Sequence, residues 1–308
     1  MNSIALASKK GRRVNGLFRL MTNPEVLWKQ AYANIYSNKG AITKGVNNNT
    51  LDGFSMERVN RLIGMLVDRR YCPKPVKRTY IPKKNGKLRP LGIPTGDDKL
   101  VQEVVRMILG QIYEPIFSEN SHGFRPEKSC HTALQQVVKT WTGVKWIIEF
   151  DIKGFFDNIN HSKLIELLQK KIDDARIIGL IRKMLKAGYA EDWKWSSTWS
   201  GTPQGGIVSP ILANIYLHEL DMFMKDMIIC FNKGTRRNAN CCEYCGKEGC
   251  RMEVHHIRAM KDVKYGKQEW QKMMSAMNRK TMILCKICHK ELHTRGLPEW
   301  KAKVRQHP

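Results

Sequence analysis

Residues 150–161 read FDIKGFFDNINH, at the end of a segment that alternates like a β-strand. Between Trp146 and Ile152 every second residue is apolar, which places Phe150 and Ile152 on one face. Asp151 falls on the opposite face. The alternation therefore predicts a buried strand that displays the Asp151 carboxylate away from its core face.

Downstream of this segment, apolar residues at helical spacing predict helices around 162–187. Residues 201–210 then read GTPQGGIVSP, which predicts a rigid loop that enters a helix at Pro210. The apolar residues of that helix are expected to form a buried stripe that consists of Leu212, Ile215, Leu220, Phe223, Met227 and Ile228.

Upstream, residues 78–94 contain the pair Asn85-Gly86 between two extended segments, the pattern of a hairpin with a type I′ turn. Apolar residues at helical spacing predict further helices within 26–36, 56–67 and 98–117. With both helices and strands predicted, the expected fold class is α+β.

Composition limits the functional classes. The 308 residues are 42% apolar, enough for two domains with cores, and the net charge of +25 favours a polyanionic partner such as nucleic acid over an acidic protein surface. A basic surface exposed only to solvent is the alternative. The chain has no apolar run of membrane-spanning length and no signal peptide, so a cytoplasmic protein without membrane contact is expected.

Four segments resemble the fingers and palm motifs of group II intron reverse transcriptases, and they occur in that family's order. They are RPLGIP at 89–94, HGFRP at 122–126, FDIKGFFDNINH at 150–161 and TPQGGIVSPILANI at 202–215. Nucleotidyl transfer requires two divalent ions held by carboxylates.

The resemblance implies roles for single residues of this chain. Asp151 would be the first metal-binding aspartate, and Phe156 would sense the sugar 2′ position. Lys83, Arg89 and Gln204 would contact the incoming triphosphate or the template.

The sequence also departs from the family. After the palm helix the family carries a hairpin with paired aspartates, usually written YADD, and no such motif lies downstream here. The thumb segment is missing as well, because the chain passes from Phe231 into a cysteine-rich region. Since Asp151 alone cannot organise two ions, we expect polymerase activity to be lost and a nucleic-acid-binding surface to remain.

Six of the nine cysteines lie between Cys241 and Cys288, which in a reducing compartment favours metal binding over disulfides. Two C-x2-C pairs predict one tetrahedral zinc site, formed by Cys242, Cys245, Cys285 and Cys288, with Cys241 as the alternative to Cys242 after a one-residue shift.

The same region holds His255-His256 and the pair His289-x3-His293, and it resembles HNH, or ββα-metal, nucleases. The resemblance implies that His256 is the general base and that His255 and His289 ligate a catalytic Mg²⁺ or Mn²⁺. It also implies that His293 is an additional metal or phosphate ligand, and that Asn278 orients the base.

The expected architecture is a partial fingers and palm domain followed by a small zinc-containing HNH domain. The predicted divisions are a basic arm (1–20), the reverse transcriptase-like domain (21–231), a linker (232–240), the HNH domain (241–297) and a tail (298–308). The expected function is metal-dependent DNA cleavage guided by binding to intron RNA and target DNA.

Two alternatives remain at this point: a non-catalytic, maturase-like protein that binds intron RNA, and a decayed relic. The sequence leaves open the target site, the oligomeric state and whether another chain supplies the missing polymerase parts.

Overall fold

The computed structural model describes residues 2–38, 40–82, 86–141, 149–192, 194–203 and 205–231, then 242, 245, 247, 251–256 and 281–294. The chain divides into two compact units, Met1–Asp221 and Met222–Pro308. The predicted linker at 232–240 and the tail at 298–308 lie outside the described residues, so the predicted domain bounds stay a prediction.

Helices dominate the first unit. In chain order they are α1 (Asn2–Lys9), α2 (Leu17–Met21), α3 (Trp28–Tyr36), α4 (Met56–Val67), α5 (Gly96–Tyr113), α6 (Cys130–Thr140), α7 (Phe155–Asn158), α8 (His161–Gln169), α9 (Ala175–Lys186) and α10 (Ser209–Phe231). The helices predicted within 26–36, 56–67, 98–117 and 162–187 are confirmed, and a helix that enters through Pro210 is confirmed as α10.

Helix α5 forms the centre of the core. Leu100, Val104, Ile108 and Ile112 recur at helical spacing, and all four are fully buried. The hydroxyl of Ser8 donates to the carbonyl oxygen of Ile112, so part of the predicted basic arm packs on this helix.

The sheet of the first unit has the strand order β2-β1-β3-β4, with β1 at Val76–Pro82, β2 at Leu88–Ile93, β3 at Tyr189–Glu191 and β4 at Lys194–Ser196. Strands β1 and β2 pair antiparallel from Lys77↔Ile93 to Pro82↔Leu88, which confirms the predicted hairpin. Asn85 of the predicted turn lies outside the described residues, so the type I′ turn stays a prediction.

The strand predicted at 146–152 is wrong in the part that the structure describes. Residues 149–152 form no strand, and Phe150 and Ile152 are 66% and 46% exposed. A strand requires a neighbour to share its backbone hydrogen bonds. No described strand pairs with these residues, so the alternating apolar side chains have no core to enter.

The apolar stripe predicted along α10 is only half buried. Leu212 and Ile215 are buried, whereas Leu220 is at the surface and Phe223 is 59% exposed. The residues that α10 contributes to the core end at Tyr216, which explains why periodicity alone overestimated the stripe. The side chains of Met227 and Ile228 lie outside the described part of the chain.

Besides the end of α10, the described elements of the second unit are two antiparallel strands followed at once by a helix. Strand β5 (Met252–His256) pairs with β6 (Thr281–Cys285), and α11 (Lys286–Thr294) follows β6 directly. The fold as described is a mixture of α and β. Among the described helices, none combines the length and the apolar character that a membrane crossing requires.

Candidate functional site

Four cysteines of the second unit form a compact cluster. Cys285 ends β6, Cys288 lies in the first turn of α11, and Cys242 and Cys245 come from the preceding segment. Their sulfur atoms all lie within 4.8 Å of one another, and Cys245 Sγ is 3.9 Å from Cys285 Sγ. A tetrahedral ion with metal–sulfur bonds of about 2.3 Å has sulfur–sulfur edges of about 3.8 Å. The four thiols therefore fit one tetrahedral metal ion.

Burial changes the acidity of these thiols. It raises the pKa of Cys245 and of Cys288 above the ordinary value. Because a metal ion binds cysteine as the thiolate, a bound ion would have to displace the protons of these two thiols.

A carboxylate and an imidazole meet beside this cluster. The Nδ1 atom of His289, on α11, is 2.6 Å from Oε2 of Glu253, on β5. This hydrogen bond is the main reason that the pKa of the Glu253 carboxyl lies below its ordinary value. Glu253 was not among the predicted site residues, because nothing in the local pattern links it to a histidine 36 residues away.

The remaining residues of the predicted nuclease site lie on neighbouring elements. His255 and His256 are in β5, paired in register with Met282 and Thr281 of β6, and His293 is one turn after His289 in α11. Their side chains lie outside the described part of the structure, as does the whole of Asn278. Their chemical roles stay predictions.

In the first unit, three of the four quoted motifs meet at the loop 201–206. The amide of Gly201 donates to the carbonyl of Ile159, and that of Thr202 donates to the carbonyl of Phe156, both at 2.7 Å. A Cβ atom on Gly205 would lie 2.7 Å from the carbonyl oxygen of Gly92, so the loop also passes directly against β2.

Residues of these motifs line a cavity of about 320 Å³. It is bounded by Pro90 and Gly92 of β2, Asp157 of α7, and Thr202 and Pro203 of the loop. The structure thus brings together segments that are more than 100 residues apart in sequence.

The predicted polymerase residues have different surroundings. Asp151 is exposed just before α7, and Arg89 is exposed on β2, opposite Ile81. Phe156 packs against the core with its ring centroid 5.7 Å from that of Phe155. Lys83 and Gln204 lie outside the described residues.

Two family models match segments of the chain. The family model described as "Reverse transcriptase (RNA-dependent DNA polymerase)" matches residues 81–245, more than half of the chain. The chain belongs to the reverse transcriptase family. A second model, "AI2M/AI1M-like, HNH endonuclease", matches residues 242–289 of this reverse transcriptase.

Curated relatives include proteins encoded in introns. "Group II intron-encoded protein LtrA" of Lactococcus lactis subsp. cremoris is 55% identical over 218 residues, which cover 70% of this chain and 36% of the relative. "Putative COX1/OXI3 intron 1 protein" of Saccharomyces cerevisiae is 40% identical over 71% of this chain and 26% of its own. "Protein YkfC" of Escherichia coli is 38% identical over 71% of this chain and 60% of its own.

This reverse transcriptase spans only about a third of the length of its Lactococcus relative. A solved structure, "Partial Cas6-RT-Cas1--Cas2 complex", aligns with 68% of this chain and 35% of its own at 23% identity and a TM-score of 0.45.

Proposed function

We propose that this reverse transcriptase-family chain is a metal-dependent HNH endonuclease that nicks DNA, and that its first unit binds nucleic acid without extending primers. One observation carries the proposal. The segment matched by the HNH model is the segment in which the four thiols cluster and Glu253 meets His289. The described order of two strands and a helix is also the order that a ββα-metal site requires.

Two kinds of metal site belong to this proposal. Cys242, Cys245, Cys285 and Cys288 would hold a structural Zn²⁺, because four clustered thiols suit zinc. A catalytic Mg²⁺ or Mn²⁺ would be held by His255 and His289, with His293 as a further ligand. When bound beside a scissile phosphate, such an ion stabilises charge on the leaving oxygen.

The protein side chains then have separate tasks. We assign His256 as the base that takes a proton from the attacking water, because a neutral imidazole suits that transfer near neutral pH. Asn278 would orient this base through its side-chain amide. The thiol cluster fixes the start of α11, the helix that carries His289 and His293.

The first unit would supply the nucleic-acid contacts. The chain carries +25 net charge, and the exposed Arg89 directly precedes Pro90, which lines the cavity of the first unit. Intron RNA and target DNA are the proposed partners. Primer extension is not expected, because Asp151 is exposed on a segment that is not a strand. After Asp151 the sequence contains one aspartate pair, Asp173-Asp174, and this pair lies at the start of helix α9.

A plasmid assay tests this proposal. The purified chain is incubated with supercoiled DNA in the presence and absence of magnesium or manganese, beside a primer-extension reaction on an RNA template. We expect metal-dependent open circles and no extended primer. A chain that extends primers, and loses that activity in Asp151→Ala, would overturn the polymerase part. A folded chain that never nicks DNA would overturn the nuclease part.

The second candidate is a non-catalytic protein that binds intron RNA, and the net charge of +25 favours it equally. The same assay separates the two when RNA affinity is measured on the same preparation. Tight, salt-sensitive RNA binding without any nicking would select the second candidate. A chain that neither folds nor binds would be a decayed relic.

A further inference from the structure

We propose that a second cavity of the first unit, between α2, α4 and α9, binds one unpaired nucleotide of a single-stranded nucleic acid. Its base would stack on Arg176, and its phosphate would meet Arg69 and Lys183. The proposal rests on the proposed nucleic-acid binding of the first unit and assigns a place to part of it. The cavity measures about 300 Å³, the lower end of the range for small-ligand pockets, and shares no lining residue with the cavity of the quoted motifs.

Arg176 provides a fixed, flat surface in this cavity. Its Cζ atom lies 3.7 Å from the centroid of the Phe18 ring, and its Nη2 atom donates to the carbonyl oxygen of Val67 at 2.7 Å. These contacts hold the guanidinium plane, while the Arg176 side chain stays exposed. Unstacked bases lie on arginine planes as they do on aromatic rings. The buried side chains of Leu66 and Leu180 make the rest of the cavity apolar, which suits the face of any base.

Two further cations lie at the rim. The Nζ atom of Lys183 donates to the carbonyl oxygens of Arg69 and Tyr71, at 3.2 and 3.0 Å. An ammonium group has three hydrogens, so one remains for an anion. The exposed Arg69 side chain makes no polar contact with any residue that the structure describes, because the neighbouring Asp68 pairs with Arg70. Cations beside an apolar cavity match a phosphate attached to a buried base.

Local sequence preferences are broken at this cavity twice. Arg69 has a φ of +60° directly after α4, where glycine is the favoured residue. Gly179 lies inside α9, where alanine would make a more stable helix, and a Cβ atom there would meet nothing within 4 Å. Both residues are exposed, so neither is needed to fill the core. Arg69 places a cation at the rim and Gly179 keeps the cavity open, and such departures are expected at functional sites.

Two probes of equal charge separate base binding from phosphate binding. They are an RNA octamer of adenosines and an octamer of abasic ribose phosphates, and fluorescence anisotropy measures their affinity for the whole, zinc-loaded chain. We expect the wild type to prefer the adenosine octamer. Gly179→Leu fills the cavity and keeps its cations, so it should weaken adenosine binding by about 5–100-fold, the usual effect of losing one base stack, and leave abasic binding unchanged.

Gly64→Leu is the matched control. Gly64 is a glycine of α4 whose added Cβ would also meet nothing within 4 Å, but it does not line the cavity. This variant should bind both probes like the wild type. Arg176→Lys keeps the charge and removes the flat surface, so it should also lose adenosine binding selectively, and it decides the matter if Gly179→Leu does not fold. Arg69→Asn removes a cation and tolerates the positive φ, so it should weaken both probes equally.

Wild-type adenosine affinity in both Gly179→Leu and Arg176→Lys would overturn the proposal. An equal loss for the two probes in Gly179→Leu would do the same. A wild type that binds both probes tightly and equally would keep the proposed nucleic-acid binding and refute only this site, whereas a chain that binds neither would refute both. A deoxyadenosine octamer is measured in parallel. Selective loss in Gly179→Leu with either strand supports the site, and the tighter strand identifies whether RNA or DNA supplies the nucleotide.

Discussion

Among single residues, the cysteines of the thiol cluster should make metal affinity depend on pH. Burial raises the pKa of Cys245 and Cys288, and an ion can bind only to the deprotonated sulfur. Protons compete more strongly as the pH falls, so the apparent zinc affinity should fall in the same direction. Zinc transfer to a chromophoric chelator should become easier on acidification.

Cys72→Ser provides the control for this experiment, because Cys72 is an exposed thiol of the first unit. Its zinc-release curve should follow the wild type. Zinc release that does not change between mildly alkaline and mildly acidic pH would contradict ligation by these thiols.

The residues of the second unit also differ in how well the sequence predicted their contacts. The two C-x2-C pairs sufficed to predict a four-thiol cluster, because spacing within a short motif constrains geometry. The partner of His289 could not be predicted in the same way. Glu253 reaches it only because β5 and α11 are brought together by strand pairing, and that depends on the whole unit.

Among the secondary-structure elements, α5 and α6 differ sharply in burial. Leu109 of α5 is fully buried, whereas Leu134 of α6 is 64% exposed. Leu109→Ala removes core contacts and leaves a cavity, and we expect it to lower the free energy of unfolding by about 2–5 kcal/mol. Leu134→Ala should change it by less than about 0.5 kcal/mol. Urea denaturation of both variants measures the difference, and equal effects would contradict the described core.

We also predict that strand β6 and helix α11 need a bound metal ion to stay folded. Cys285→Ser removes one thiol at their junction, and a unit of this size obtains much of its folding free energy from its metal. Hydrogen exchange should show loss of protection in β5, β6 and α11, with α5 still protected.

Cys130→Ser, which changes an exposed thiol at the start of α6, should leave both units protected. Loss of protection in both units on Cys285→Ser would contradict the division of the chain into two units.

Element prediction succeeded where local sequence determines the outcome. Helix α4 occupies the predicted 56–67, since Ser55 caps its first turn by accepting from the Arg58 amide and Val59, Leu62 and Leu66 share its buried face. In its described part, 149–152, the predicted strand failed because pairing is not a local property. Alternation describes which side chains could enter a core, but a strand forms only when a neighbour is present.

At the scale of the whole molecule, charge predicts the response to salt. A chain with +25 net charge that binds duplex DNA or structured RNA releases counterions, so affinity should fall steeply between about 50 and 200 mM salt. Arg89→Ala should reduce the slope by about one unit if this residue contacts a phosphate. Lys29→Ala is the matched control, because Lys29 is exposed but paired with Glu25 at 2.7 Å. A flat salt response would contradict nucleic-acid binding through charge.

The two-part organisation was visible in the sequence, because the polymerase-like motifs and the cysteine-histidine region are chemically distinct. The sequence did not reveal that the motif at 150–161, the loop at 201–206 and strand β2 contact one another. No periodicity specifies contacts between residues so far apart along the chain.

Nicking of supercoiled plasmid by the wild type, His256→Ala and His131→Ala tests the proposed nuclease most directly. His131 is an exposed histidine of α6 and serves as the matched control. With magnesium or manganese present, we expect the wild type and His131→Ala to nick at the same rate and His256→Ala to be slower by about 10²–10⁴-fold, since it lacks the general base. Zinc content and DNA affinity should be equal in all three. An unchanged rate in His256→Ala, or a wild type without metal-dependent nicking, would contradict the assignment of this unit as an endonuclease.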